Sequence, residues 1–131
     1  MQYWILKTEP ETFSMDDLLS KKYEMWDGVR NYQARNNLRN MQLNDECLIY
    51  HSGKERGIVG LAKVVKTSYP DPTADSEQWV CVHIAPIKKL NFYALEKIKA
   101  NKDLQEIGLL KQSRLSVIPI TENEFKILSE E

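Results

Sequence analysis

The segment from residue 28 to 44 carries three arginines and no acidic residue, a local charge of +3 in a chain of net charge −1. Arg35 and Arg39 are four residues apart, so a helix would place them on one face. Arginine guanidinium groups match phosphates, and the asparagines and glutamines that fill much of this segment can hydrogen-bond to base edges. These residues indicate nucleic-acid binding. The alternative is a solvated helix face in which Arg30 pairs with a nearby carboxylate.

Trp26 precedes Asp27 and Gly28 at the boundary of an element, a position that can leave one face of its indole ring open. Flat aromatic faces stack with nucleobases, at roughly 1–3 kcal/mol per base. A core position for Trp26 stays open as the alternative. Trp4 and Trp79 are embedded in apolar, strand-like runs, so both are expected in the core.

Familiar catalytic motifs are absent from the sequence, which has no glycine-rich dinucleotide loop, P-loop, nucleophile elbow or zinc-protease helix. His83 lies inside the most apolar strand and is expected to be structural. His51 ends a strand before a glycine-containing loop, where functional and structural roles are both open. Cys47 and Cys81 fit neither a disulfide framework nor a metal knuckle, so buried thiols are expected. We therefore expect no metal, no cofactor and a reducing compartment.

The length and composition favour one globular domain over residues 1–131, with 42% hydrophobic and 28% charged residues. A net charge of −1 means that polyanions would be attracted only by a local patch. The longest uninterrupted apolar stretch is Gly57–Ala62, far short of the roughly 20 residues of a membrane span. No signal peptide is visible, so we expect an intracellular, cytoplasmic protein, or a nuclear one if the source is eukaryotic.

The apolar runs and turn signals predict an α+β fold with about five strands. Peripheral helices would flank a small, mostly antiparallel β-barrel that closes the strand edges. Capping signals predict helices that begin after Ser14, near Arg30, after Asn91 and after Thr121, and a short helix that ends at Gly108. The strands are expected over residues 3–6, 47–50, 58–65, 79–85 and 113–119.

Five sequence blocks resemble the EVE domain family, in family order along nearly the whole chain. Residues 26–36, Trp-Asp-Gly-Val-Arg-Asn-Tyr-Gln-Ala-Arg-Asn, match a block of that family without a mismatch. The other blocks are residues 3–10, 50–52, 69–74 and 113–117. Thr8 stands where the family usually has serine, and the loop after Ala74 is shorter than in many members.

The resemblance implies a PUA-like fold, a small β-barrel related to YTH domains, and a reader of a modified base in DNA or RNA. On that analogy Trp26 is one wall of an aromatic cage, and Tyr32 would stack on the other face of the base. The base-contacting residues would be Thr8, Trp26, Asn31, Tyr32, His51, Ser52 and Ser116. Phosphates would be held by Lys7, Arg30, Arg35 and Arg114. No membrane partner is expected, and the oligomeric state is left open.

Two other function classes are compatible with the same residues. A small-molecule or protein-interaction module could use the same pocket, and the near-neutral charge favours this alternative. A hydrolase of modified nucleosides could use Glu9 or Asp27 as a base, but no second catalytic group is visible in the sequence. We therefore expect a binding module and not an enzyme.

Overall fold

The computed structural model describes residues 1–130 and confirms the α+β class. Within these residues one sheet contains six strands: β1 (Tyr3–Thr8), β2 (Glu24–Trp26), β3 (Glu46–His51), β4 (Gly57–Pro70), β5 (Val80–Ala94) and β6 (Val117–Ile120). Five α-helices accompany the sheet: α1 (Met15–Leu19), α2 (Tyr32–Asn40), α3 (Leu95–Ala100), α4 (Gly108–Lys111) and α5 (Glu122–Ser129). A 3-10 turn covers Lys102–Leu104.

The sheet is open, with the strand order β2-β5-β4-β3-β1-β6. The closed barrel of about five strands expected from the sequence is therefore wrong, because β2 and β6 lie at opposite edges of the described sheet. These edge strands have three and four residues, so few backbone groups are left unpaired and the sheet does not need to close. The expectation of mostly antiparallel pairing is confirmed, since among the strands of residues 1–130 only β1 and β3 pair in parallel.

The parallel pairing of β1 with β3 brings together two distant parts of the chain. Lys7 lies opposite Tyr50, and Thr8 lies opposite His51. Beyond the last pair, the backbone N–H of Ser52 donates to the Thr8 carbonyl at 3.0 Å. The carboxyl ends of both strands therefore open onto the same region of the surface.

Strand β5 is longer than the sequence predicts. The sequence predicts that this strand ends at residue 85, immediately before Pro86. The ladder with β4 instead shifts register beside Pro86, which lies opposite Ala62. A bulge tolerates a residue that lacks an N–H donor, so the strand continues to Ala94. The helix predicted from Asn91 consequently begins only at Leu95.

Two helix starts follow capping signals that the sequence predicts. Ser14 and Asp17 form a reciprocal capping box at α1, and Thr121 and Glu124 form another at α5. The helix predicted to begin near Arg30 is capped by Asn31, whose side chain accepts a hydrogen bond from the Ala34 N–H at 2.9 Å. Helix α2 therefore begins at Tyr32. The prediction that a helix ends at Gly108 is wrong, because α4 begins at that residue.

The hydrophobic core joins the sheet to the surrounding helices. Ile5 and Leu48 of the central strands are buried in one hydrophobic cluster that also contains Leu18 of α1, Leu38 of α2 and Leu128 of α5. Both cysteines are buried and free, as expected. None of the helices in residues 1–130 is both long and apolar enough to cross a membrane.

The turn between β2 and α2 is held in place by Asp71, whose side chain is fully buried. One carboxylate oxygen accepts from the Gly28 N–H at 2.8 Å and from Arg30 at 3.0 Å. The other accepts from the N–H and the hydroxyl of Thr73, at 2.8 and 2.6 Å. Burial alone would raise the pKa of Asp71, but these hydrogen bonds outweigh burial and hold the pKa at about 2. Gly28 has φ +79°, a backbone conformation that disfavours other residues.

We expect Asp71→Asn to lower the free energy of unfolding by about 2–3 kcal/mol, because the amide cannot accept all four hydrogen bonds. Urea denaturation at pH 7 measures this change, and Asp75→Asn, an exposed aspartate of the same loop, is the control. The contribution of Asp71 is complete above pH 3.8, its ordinary pKa, and is lost as the pH falls through about 2. Equal stability of the two variants would contradict this role of Asp71.

Candidate functional site

A cavity of about 440 Å³ opens where the ends of β1 and β2 meet the start of α2. The segments before α1 and before β6 complete its lining. Six residues expected from the sequence line this cavity: Lys7, Thr8, Trp26, Arg30, Asn31 and Ser116. They come from three separate parts of the chain, residues 7–8, residues 26–31 and Ser116, which the sheet topology brings together.

Two aromatic rings form a corner of the cavity. Trp26 is 9% exposed, and its indole meets the Phe13 ring edge-on, with centroids 6.0 Å apart and an interplanar angle of 80°. The sequence reasoning missed Phe13. The signal that could have indicated it is the position of Phe13 immediately before the Ser14 helix cap, where an apolar residue often packs back onto its neighbours.

The polar groups of the cavity are partly committed to the fold. The Thr8 hydroxyl donates to the Phe13 carbonyl at 2.6 Å, so towards a ligand it can act only as an acceptor. The Oδ1 atom of Asn31 caps α2, which leaves the Nδ2 amide as a donor. The half-buried Ser116 contributes a hydroxyl, which can donate or accept.

Three carboxylates also line the cavity. They are Glu9, Asp27 and Glu24. The sequence suggested Glu9 and Asp27 only as bases of a hydrolase. Glu24 forms an ion pair with Lys21 at 3.1 Å. Opposing them, the Lys7 ammonium donates to the Ser113 carbonyl at 2.7 Å. Partial burial lowers the pKa of Lys7. The lining thus offers acceptors for amino groups as well as cations for phosphates.

Tyr32 and Arg35 lie outside this cavity, on the outer surface of α2. The Tyr32 ring packs against Trp79 with centroids 5.0 Å apart, and Arg35 lies 5.0 Å from the Tyr32 centroid. Arg35 also donates to the Asn36 side chain at 2.9 Å. Trp79, expected in the core, is only partly buried because it forms the base of this surface cluster.

His51 and Ser52 line a neighbouring cavity of about 550 Å³, together with Val59 and Phe92. The Nε2 atom of His51 accepts a hydrogen bond from the Met15 N–H at 3.0 Å, so the ring supports the start of α1 in its neutral form. The Ser52 hydroxyl donates to the Thr8 carbonyl at 3.4 Å. Both side chains therefore make contacts within the fold.

Arg30 and Arg114, two predicted phosphate ligands, differ in their environment. Arg30 is held by Asp71, and its guanidinium also lies 5.9 Å from the Trp79 centroid. Arg114 is exposed and lines a cavity of about 380 Å³ that shares Asn31 with the first cavity. Within residues 1–130 no group of three His, Cys, Asp or Glu side chains is arranged to hold a metal ion.

The acid stability of the fold tests the assignment of His51. Burial lowers the pKa of His51 below its ordinary value of 6.5, with a smaller contribution from Lys89 against the opposing effect of Asp16. The unfolded chain then binds more protons, so the free energy of unfolding falls as the pH drops below 6.5. In His51→Gln, whose side-chain oxygen can still accept from the Met15 N–H, we expect a smaller fall between pH 7.5 and 5.

Denaturation at several pH values measures this difference. His83, whose pKa burial also lowers, remains in the variant and accounts for the residual slope. An unchanged pH dependence in His51→Gln would show that His51 does not titrate as its contacts require.

The chain is similar in sequence to thymocyte nuclear protein 1 of Mus musculus. The two sequences are 39% identical over an alignment of 161 positions, which covers 96% of this chain and 71% of that protein. The fold of this chain is similar to that of human THYN1 protein, solved in complex with 5-methylcytosine containing DNA. That likeness has a TM-score of 0.92 at 34% identity and covers 99% of this chain and 96% of the other. A crystal structure of an Agrobacterium tumefaciens protein reaches a TM-score of 0.96 at 37% identity, covering 99% and 92% of the two chains.

The family model of the EVE domain matches residues 2–131. The matched range includes all five sequence blocks described above. The chain therefore belongs to the EVE domain family.

Proposed function

We propose that this chain is a binding domain, spanning residues 1–131, for DNA that carries a modified base, with 5-methylcytosine as the first candidate. The observation that carries the proposal is the aromatic corner of Trp26 and Phe13 beside unpaired polar groups in one cavity. The likeness to human THYN1 protein, solved with 5-methylcytosine containing DNA, supports this choice of ligand. A PUA-like class for the open sheet belongs to the same proposal.

The base would leave the duplex and enter the cavity, because its edges are inaccessible while it remains stacked and paired. Its ring would stack on the exposed part of the Trp26 indole, with the Phe13 ring at one side. Such stacking contributes roughly 1–3 kcal/mol per base. Tyr32 lies outside the cavity, so we assign the second aromatic wall to Phe13 instead.

The polar lining is complementary to cytosine in its hydrogen-bonding pattern. A carboxylate accepts from the exocyclic amino group of cytosine, and Glu9 and Asp27 are available for this contact. The Asn31 amide would donate to a ring acceptor. A thymine would present an oxygen acceptor where the carboxylate needs a donor, and this unpaired contact would exclude it. The side chains of Met25 and Val29 provide apolar surface for a methyl group.

The backbone phosphates would be held by cations that the fold leaves available. Lys7 keeps two of its three donors, and Arg114 is exposed at the adjoining cavity. Arg30 and Arg35 are already bound to other protein groups, so we assign them to positioning the α2 surface. His51 and Ser52 would support α1 and β1 in the same way.

A hydrolase remains the second candidate because Glu9 and Asp27 line the same cavity. We propose binding without turnover. Incubation of the protein with a 5-methylcytosine oligonucleotide, followed by digestion and chromatography, should return the modified nucleoside intact. Release of a base or an altered nucleoside in proportion to protein concentration would support the enzyme.

We expect Trp26→Leu to weaken binding of a 5-methylcytosine duplex by roughly 10- to 100-fold, because the stacking surface is lost. The matched control is Trp79→Leu, which removes a partly exposed tryptophan outside the cavity and should leave the preference for methylated over unmethylated duplex unchanged. Fluorescence anisotropy at two salt concentrations measures both affinities. Equal loss of preference in the two variants would contradict the cavity assignment.

A second variant separates recognition from folding, since Trp26 is largely buried. In Asn31→Ser the hydroxyl can still cap α2, but the amide donor is lost. We expect reduced preference for the modified base at nearly unchanged thermal stability. Salt-independent binding of the free nucleoside, without binding of DNA, would instead favour a small-molecule site.

A further inference from the structure

A fourth cavity, of about 430 Å³, adjoins the proposed base cavity and shares Lys7 with it. Three cationic side chains line it, those of Lys7, Arg56 and Lys99, and no carboxylate does. The three cations come from β1, from the loop before β4 and from α3. Their convergence is invisible in the sequence, where the nearest two are 43 residues apart.

The charged ends of these side chains are not neutralised by the fold. Among residues 1–130 none of the three forms an ion pair with a carboxylate. Their backbones are nevertheless fixed, since the Arg56 carbonyl accepts from the Leu95 N–H at 2.8 Å. The Lys99 carbonyl accepts from the Gln105 amide at 2.9 Å. The cavity thus holds unpaired positive charge on a rigid frame.

Neutral donors complete the lining. Burial raises the pKa of Tyr50, so its hydroxyl stays protonated, and the hydroxyls of Ser52 and Ser113 line the same space. The negative charge of Glu96 also raises the pKa of Tyr50, but Glu96 does not line the cavity. Three like charges around one concavity repel each other, and an oxyanion between them would relieve this repulsion.

We propose that this cavity binds a backbone phosphodiester of the DNA strand whose modified base occupies the neighbouring cavity. The inference rests on the proposed function. Lys7 borders both cavities, so the two occupants must be close neighbours on one strand. Arg56 and Lys99, which the sequence did not suggest, are then the phosphate ligands, and they determine affinity but not base identity.

The first test compares charge-neutral variants in DNA binding. Arg56→Gln and Lys99→Gln should each weaken binding about 10-fold, equally for methylated and unmethylated duplexes, because a charge-assisted hydrogen bond is lost. The dependence of log affinity on log salt should become shallower by about 1. The matched control is Lys102→Gln, an exposed lysine three residues after Lys99 that lines none of the described cavities.

The second test locates the phosphate. Neutral methylphosphonate linkages are introduced one at a time around the modified base. A methylphosphonate at one position should weaken binding of the DNA to the wild-type chain by about 10-fold. The same methylphosphonate should not change the affinity of the double variant Arg56→Gln, Lys99→Gln. This difference between the two chains would identify the contacted phosphate.

The outcomes separate the two proposals. If the wild-type chain prefers methylated DNA while Arg56→Gln and Lys99→Gln behave like Lys102→Gln, the phosphate site is overturned and the base reader stands. If the wild-type chain binds DNA without preference, the base reader fails, and the methylphosphonate scan still decides the phosphate site. Absence of any DNA binding would overturn both.

Discussion

The buried carboxylate of Asp71 determines where the proposed site lies. It receives hydrogen bonds from Gly28 and Arg30 on one oxygen and from Thr73 on the other. These contacts join the turn after β2 to the loop between β4 and β5. Trp26 precedes this turn and Asn31 follows it, so the aromatic wall and the free amide of the cavity both depend on one anion that the fold keeps ionised.

The same contacts divide the cations of the chain into two groups. Arg30 and Arg35 are bound to protein groups and maintain the α2 surface. Lys7, Arg56 and Lys99 keep donors free along two adjoining cavities, and Arg114 lines a third. A protein of net charge −1 can thus bind a polyanion through local cations, while its carboxylates remain available for base amino groups.

Local patterns in the sequence were sufficient for the helix caps at Ser14 and Thr121, and for the buried cysteines. Contacts between distant segments were not. The bulge beside Pro86, the partners of Asp71 and the approach of Arg56 to Lys99 depend on strand register, which no short motif encodes. Within the continuous block of residues 26–36, the sequence also does not show that a helix turns Tyr32 and Arg35 away from the cavity that Trp26 and Asn31 line.

The central claim is that the modified base stacks on Trp26, and indole N–H resonances of the three tryptophans test it directly. Trp4 is buried and donates to Asp45 at 3.1 Å, and Trp79 lies in the outer cluster with Tyr32. Addition of a 5-methylcytosine duplex to ¹⁵N-labelled protein should shift the Trp26 resonance, more than an unmethylated duplex does, and leave Trp4 unchanged. A shift of Trp79 with an unmoved Trp26 would contradict the account.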